Sequence, residues 1–292
     1  MRVHFLNVGH GDCSIIEFDS KRIMMIDINN AESIEKKTYA EICEEAVFES
    51  AGYNIPLTNP LKYMEMNGIK KIFRFVVTHP HMDHISGISQ IGGMCTNVWI
   101  YKNDFDEPEG LSGQAASDWK LYETWRDGGR RSSLDPTILS LPSGASDSYY
   151  QEDGISILSP TDELVEIAQR RNNRNIMSTV LLITYGKTKI VLAGDAENET
   201  WEYIMEKHAN KIKDISVLKA AHHGRSSGYH QEAVKWMKPE YTVVSVGKKP
   251  EQDASNRYRN YSEHVLSTRW CGNMVFVCYK NGTVDLRKEY DR

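Results

Sequence analysis

The sequence predicts a layered α/β protein in which two β-sheets are flanked by helices. Short β-branched and aromatic runs recur along most of the chain, and amphipathic helical patterns fall between them. Several of the runs also stop abruptly at histidine, aspartate or glycine, which places candidate chemistry at strand ends.

The opening third alternates as a meander does. Val3 and Phe5, then 13–18 and 22–27, read as strands separated by Gly9-His10-Gly11-Asp12 and Asp19-Ser20-Lys21. Residues 32–51 carry Ile34, Ala40, Ile42, Ala46 and Val47 among charges, a helical spacing closed by Gly52, with Pro56 and Pro60 beyond. They form an acidic insertion over about 31–66. Residues 72–77 are a compact buried-strand run ending in Thr78-His79-Pro80-His81. The glycine- and serine-rich stretch 102–153 reads as a second insertion with one helix over 114–125. Strands are then expected at 155–158, 179–185, 188–193, 215–221, 241–246, 274–279 and 283–287, and helices at 197–208, 230–237 and 261–270. This describes a single domain, 1–292, whose two insertions overhang the site as lids or offer a surface to a protein partner.

Composition narrows the function classes. A net charge of −5 excludes a generally basic, nucleic-acid-coating surface, while leaving room for a local basic groove. The longest apolar stretches, 180–183 and 190–193, fall far short of the roughly 18 residues of a membrane helix, so no membrane span is expected. Five cysteines without a CxxC spacing indicate neither a disulfide framework nor a zinc ribbon. With a first strand that begins at once and no signal-like leader, the reducing cytoplasm is the expected location.

His79, His81, Asp83 and His84 form H-x-H-x-D-H directly after a strand. Imidazole nitrogens and a carboxylate concentrated in six residues are a metal-ligand pattern. In an extended loop, His79 and His81 converge on one cation while Asp83 and His84 turn toward a second about 3.5 to 4 Å away. Coordination brings the pKa of water from 15.7 to about 7, which supplies a nucleophile at neutral pH. Two cations need more ligands, and the strand ends Gly194-Asp195 and His222-His223-Gly224 offer them: a carboxylate to bridge and a histidine to close the second shell. The metal set is therefore His79, His81, Asp83, His84, Asp195, His222 and His223, with two divalent ions, Zn or Mn.

These residues resemble the metallo-β-lactamase fold hydrolases, and more closely the metallo-hydrolase domain of ComEC-like competence proteins. The likeness runs through Asn7-Val8-Gly9-His10-Gly11-Asp12, Ile26-Asp27, Thr78 to His84 with Gly87, Leu192-Ala193-Gly194-Asp195 and Lys219-Ala220-Ala221-His222-His223-Gly224, spanning nearly the whole chain. It implies a four-layer αββα sandwich with a dinuclear site at one edge. By resemblance Asp27 orders the metal loop, His79 and His81 hold the first metal, Asp83 and His84 the second, Asp195 bridges and His222 completes the second site; Asp83, Asp27 and Asp195 form the catalytic set. His10 lies in a turn that approaches the metal loop.

Three departures from the pattern matter. The usual third histidine of the first metal is missing from 173–178, leaving water, Asn175 or Ser178 to complete that site and favouring Mn over Zn. The late histidine of the ComEC-like segment is replaced by Asn260. The membrane spans of the DNA-uptake proteins are lacking, which excludes a channel role.

The resemblance favours a metal-dependent phosphodiesterase or nuclease acting through a metal-bound hydroxide, on a phosphodiester substrate such as nucleic acid. Guanidinium forks at Arg170, Arg171 and Arg174, and at Arg257 and Arg259, suit phosphate. Substrate contacts are expected from Asn175, Ser178, Lys219, Arg225, Arg257, Tyr258 and Asn260. The alternatives are an acyl-ester, thioester or lactone hydrolase of the same fold, and a metal-stabilised, non-catalytic binding or regulatory protein.

Overall fold

A computed structural model describes residues 1–30, 56–129, 135–247 and 252–291. The helical pattern expected over 32–51, and most of the first insertion with it, lies outside those residues.

Fifteen strands follow one another among the described residues. They are β1 (Arg2–Phe5), β2 (Ser14–Glu17), β3 (Ile23–Ile26), β4 (Ile28–Asn29), β5 (Ile72–Val76), β6 (Cys95–Trp99), β7 (Thr137–Leu139) and β8 (Ile155–Ser159), then β9 (Val180–Tyr185), β10 (Thr188–Leu192), β11 (Val217–Lys219), β12 (Tyr241–Val244), β13 (His264–Ser267), β14 (Met274–Cys278) and β15 (Val284–Lys288). They make an eight-stranded sheet, β15-β14-β1-β2-β3-β5-β6-β7, and a six-stranded sheet, β13-β12-β11-β10-β9-β8. Each sheet has an antiparallel part and a parallel part: β3, β5, β6 and β7 run parallel in the first, β10 to β13 in the second.

The two sheets face each other. Val3, Phe5, Ile16, Met24 and Val76 from one meet Ile157, Leu181, Ile183, Ile190 and Leu192 from the other in a single buried layer. The alternate residues point outward and are buried too. Leu6, Ile15, Met25 and Phe75 lie under Met64, Ile88, Trp119 and Trp125, while Leu182, Val191 and Leu218 lie under Trp201, Ile204, Val234 and Met237. Burial on both faces is why these strands read as nearly continuous apolar runs rather than alternating ones. The result is the αββα four-layer sandwich.

One expectation needs correction. Residues 261–270 are not a helix: His264–Ser267 pairs in parallel with β12, Val265 packing on the outer layer and Leu266 on the layer between the sheets, and only Thr268–Cys271 is helical. The alternation of a strand won over a loosely helical spacing. The stretch 102–153 carries the helix expected over 114–125 and more structure besides. It supplies edge strand β7, and helix Gly113–Arg126 buries Trp119, Tyr122 and Trp125 against the first sheet. Strand β6 and helix Asp162–Arg170, capped by Thr161, went unread in the sequence.

Every parallel strand that carries a site residue delivers it at its C-terminal end. That is where open α/β sheets hold ligands.

Candidate dinuclear metal centre

Asp195 Oδ2 is the focus of the site. Four imidazole Nε2 atoms surround it: His84 and His223 at 3.4 Å, His222 at 3.8 Å and His79 at 3.9 Å. Gly194 brings Asp195 there with left-handed backbone, φ +50°, and a Cβ on it would stand 2.9 Å from Thr78 Cβ. The Ser178 hydroxyl accepts from the Asp195 amide at 3.2 Å.

On one side of Asp195, Asp83 Oδ2 lies 3.2 Å from His223 Nε2 and 3.9 Å from His84 Nε2. On the other, His79 Nε2 faces His81 Nδ1 at 2.9 Å. His79, His84, Asp195 and His223 are buried. The far nitrogens are tied down: His84 Nδ1 lies 2.7 Å from Asp27 Oδ2, His223 Nδ1 donates to the Ser245 carbonyl at 3.0 Å, and His79 Nδ1 lies 3.1 Å from Thr78 Oγ1. Such outer contacts fix the ring and leave the inner nitrogen free as a ligand.

Electrostatics separate the members. Burial pushes His81 down to about 4 and His79 well below the usual imidazole range. Burial would lower His84 and His223 as well, but Asp195 and neighbouring carboxylates outweigh it, raising His84 and taking His223 to about 9. Burial would raise Asp83 and Asp195; the adjacent histidines outweigh that and hold both carboxyls below their ordinary range.

The donor set fits cations. His84 Nε2 and Asp195 Oδ1 are buried without a hydrogen-bond partner, as is Asn175 Oδ1 beside them. Buried polar atoms are almost always paired, so an orphaned His84 Nε2 facing both Asp195 Oδ2 and Asp83 Oδ2 points to an ion. Borderline-soft nitrogens with carboxylate oxygens suit Zn or Mn.

The remaining expected residues divide. Asp27 stands behind His84, accepting from the Thr78 amide and hydroxyl at 2.8 and 2.7 Å, so it positions the loop rather than facing the cavity. Of the tandem, His223 and not His222 sits against Asp83, correcting the resemblance. Asn175 does reach the site, donating to Glu197 Oε1 at 3.0 Å. Arg225 Nη2 lies 3.0 Å from His10 Nε2, whose ring is 4.6 Å from that of His223; burial lowers His10 to about 4.

The others lie away from the four imidazoles or are spent on protein partners. Ser178 is fully buried, its hydroxyl spent on Asp195. Lys219 is buried below Asp195, bonded to Asp12 and to the Gly194 carbonyl, with Asp195 Oδ1 3.8 Å away. Tyr258 lies in the outer core against Tyr229, and Arg257 stacks over that same ring at 4.8 Å. Asn260 is exposed at the end of the following turn. His230 caps helix Gln231–Met237 by accepting from the Ala233 amide.

Sequence reading missed Asp12 and Glu197 as site residues. Glu197 occupies a helix N-cap yet makes no capping bond; its carboxylate accepts from Asn173 and Asn175 and faces His222. Its place two residues after Asp195 was the available signal.

No family model matches the chain. Among curated proteins it is similar to Recombination protein 2 of Haemophilus influenzae, 25% identical over 219 residues, which is 73% of this chain and 23% of that protein. The chain thus spans about a quarter of the length of the curated relative it matches. Among solved structures it superposes on Tm1679, a metal-dependent hydrolase of the β-lactamase superfamily, with TM-score 0.52 and 14% identity, over 99% of this chain and 100% of that one. This chain has the metallo-β-lactamase fold. Another similar structure is Igni18, a metallo hydrolase from Ignicoccus hospitalis, at TM-score 0.48 and 16% identity over all of both chains. No helix among the described residues is long and apolar enough to cross a membrane. In this metallo-β-lactamase fold the histidine cluster lies between the ends of the two parallel strand sets.

Proposed function

We propose that the chain is a metal-dependent hydrolase that cleaves phosphodiesters, with nucleic acid as a candidate substrate. The observation that carries this reading is the single carboxylate oxygen of Asp195 with four imidazole nitrogens around it. Asp83, His84, His223 and Asp195 would hold one cation, and His79, His81 and Asp195 the other. When bound, such a pair supplies Lewis-acid charge to a phosphoryl oxygen and lowers the pKa of water.

The chain's own groups do the rest. Asp27, Thr78 and Ser178 hold the ligands in place through the bonds described above. Arg174 supports a phosphate substrate: its guanidinium stacks over Phe105 and Trp119 at 5.2 and 5.5 Å, and its charge helps keep His81 neutral. The likeness to Recombination protein 2 supports the same class of substrate.

The test is metal content by elemental analysis, coupled to hydrolysis of bis-p-nitrophenyl phosphate and labelled single-stranded DNA after Mn²⁺ or Zn²⁺ reconstitution. Two ions per chain and turnover lost in His81→Ala are expected. Lactone or thioester turnover without phosphodiester turnover overturns the substrate class.

A further inference from the structure

The adjacent histidines His222 and His223 both hold left-handed backbone, at φ +50° and +51°. A side chain with a Cβ takes this conformation at a cost of roughly 1 kcal/mol or more, and it persists where the surroundings impose it. The consequence is geometric. Their ring centroids are 6.2 Å apart with planes inclined at 66°, and both Nε2 atoms still approach Asp195 Oδ2.

They approach in different company. His223 comes with Asp83. His222 comes with Asn175 and Glu197: its Nδ1 is 2.6 Å from Ser227 Oγ, 3.2 Å from Glu197 Oε1 and 3.5 Å from Asn175 Nδ2. With Nδ1 so occupied, Nε2 is the atom left to bind. The half of the site built by His79 and His81 offers two nitrogens and Asp195, the three protein ligands of a catalytic site, but Asp195 is shared with the other half, which leaves room there for a third nitrogen.

We propose that the tandem is divided between the two cations. His223 joins Asp83 and His84, while His222 supplies the third nitrogen beside His79 and His81, oriented by Glu197 as the carboxylate behind a ligating imidazole. This rests on the dinuclear reading above. It makes the first site rich in nitrogen despite the missing histidine in 173–178.

The test is cobalt(II) titration of the metal-free full chain, read by d–d absorption and calorimetric stoichiometry. Wild type takes up two ions. His222→Gly, which keeps left-handed backbone without strain, takes up one, as His81→Ala does, and the double variant loses no further ion. His223→Gly loses the other ion. Glu197→Gln weakens the first ion about 10-fold and leaves the second unchanged.

Two ions of wild-type affinity in His222→Gly, alongside one in His81→Ala, overturn the assignment and leave the dinuclear reading intact. A wild-type chain that takes up no cobalt overturns both. Should His222→Gly not fold, Glu197→Gln decides: first-ion affinity equal to wild type overturns the assignment.

Discussion

The half of the site formed by Asp83, His84 and His223 is enclosed, and carboxylates back it: Asp27 stands behind His84, and Asp12 Oδ1 lies 3.6 Å from His223 Nδ1. The half formed by His79, His81 and His222 is more open, and its support comes from Thr78, Asn175, Ser227 and Glu197. One half carries excess negative charge that raises His84 and His223; in the other, burial lowers His79 and His81. The contrast teaches that two sets of similar ligands, meeting at one aspartate, are held by different means and fail in different ways.

The largest expected effect falls on the enclosed half. Lys219 is the buried cation that balances Asp12 and Asp195. Lys219→Met removes the hydrogen-bonded ammonium from buried Asp12, which should destabilise the metal-free chain by about 3 to 5 kcal/mol in urea denaturation. The matching change in the open half, Glu197→Gln, should cost no more than about 1 kcal/mol. Equal losses would break the comparison.

Asp195→Asn acts on both halves at once. Because it replaces a shared ligand rather than an outer contact, turnover should fall by more than the ~100-fold upper range of an outer-contact loss, with fewer than two ions retained. An asparagine variant holding two ions and most of its activity would remove Asp195 from the bridge.

Much of this was legible in the sequence because ligand chemistry is local. H-x-H-x-D-H shows its ligands within six residues, and Asp195 and His223 follow recognisable strands. The four layers were legible too, since apolar runs of strand length between helical patterns leave few arrangements. What was not legible depends on tertiary approach. Lys219 looked like a phosphate contact because a lysine beside ligand histidines reads as exposed; only the fold shows Asp12, 207 positions away, closing over it. Tyr258 looked like a substrate edge, and its edge-on contact with Tyr229 places it in the core, with the exposed Arg257 lying over the same ring. The division of His222 from His223 needs φ angles that no spacing rule supplies.

Proton traffic sharpens the contrast. His223 is raised to about 9, so its contribution to the stability of the metal-free chain is full below about 6.5 and is lost as pH rises to about 9. His81 is lowered to about 4, so its contribution is full above about 6.5 and is lost as pH falls to about 4. At pH 7 metal uptake should therefore release protons from His84 and His223 in the enclosed half and none from His81. Calorimetry in buffers of different ionisation heat reads this directly. Proton release that survives His223→Gly unchanged would contradict the difference.

The smallest effect concerns how each half of the tandem is tied. His223 Nδ1 bonds a backbone carbonyl, that of Ser245, so no side-chain substitution removes its anchor. His222 Nδ1 is anchored by side chains, Ser227 and Glu197, and either can be deleted. Ser227→Ala removes one hydrogen bond worth about 1 kcal/mol, so the first ion should weaken about fivefold while the second is untouched. Cobalt titration resolves a change of that size. If both ions weaken together, the two halves share their support after all; if only the first does, the open half is the one whose affinity single side chains can tune.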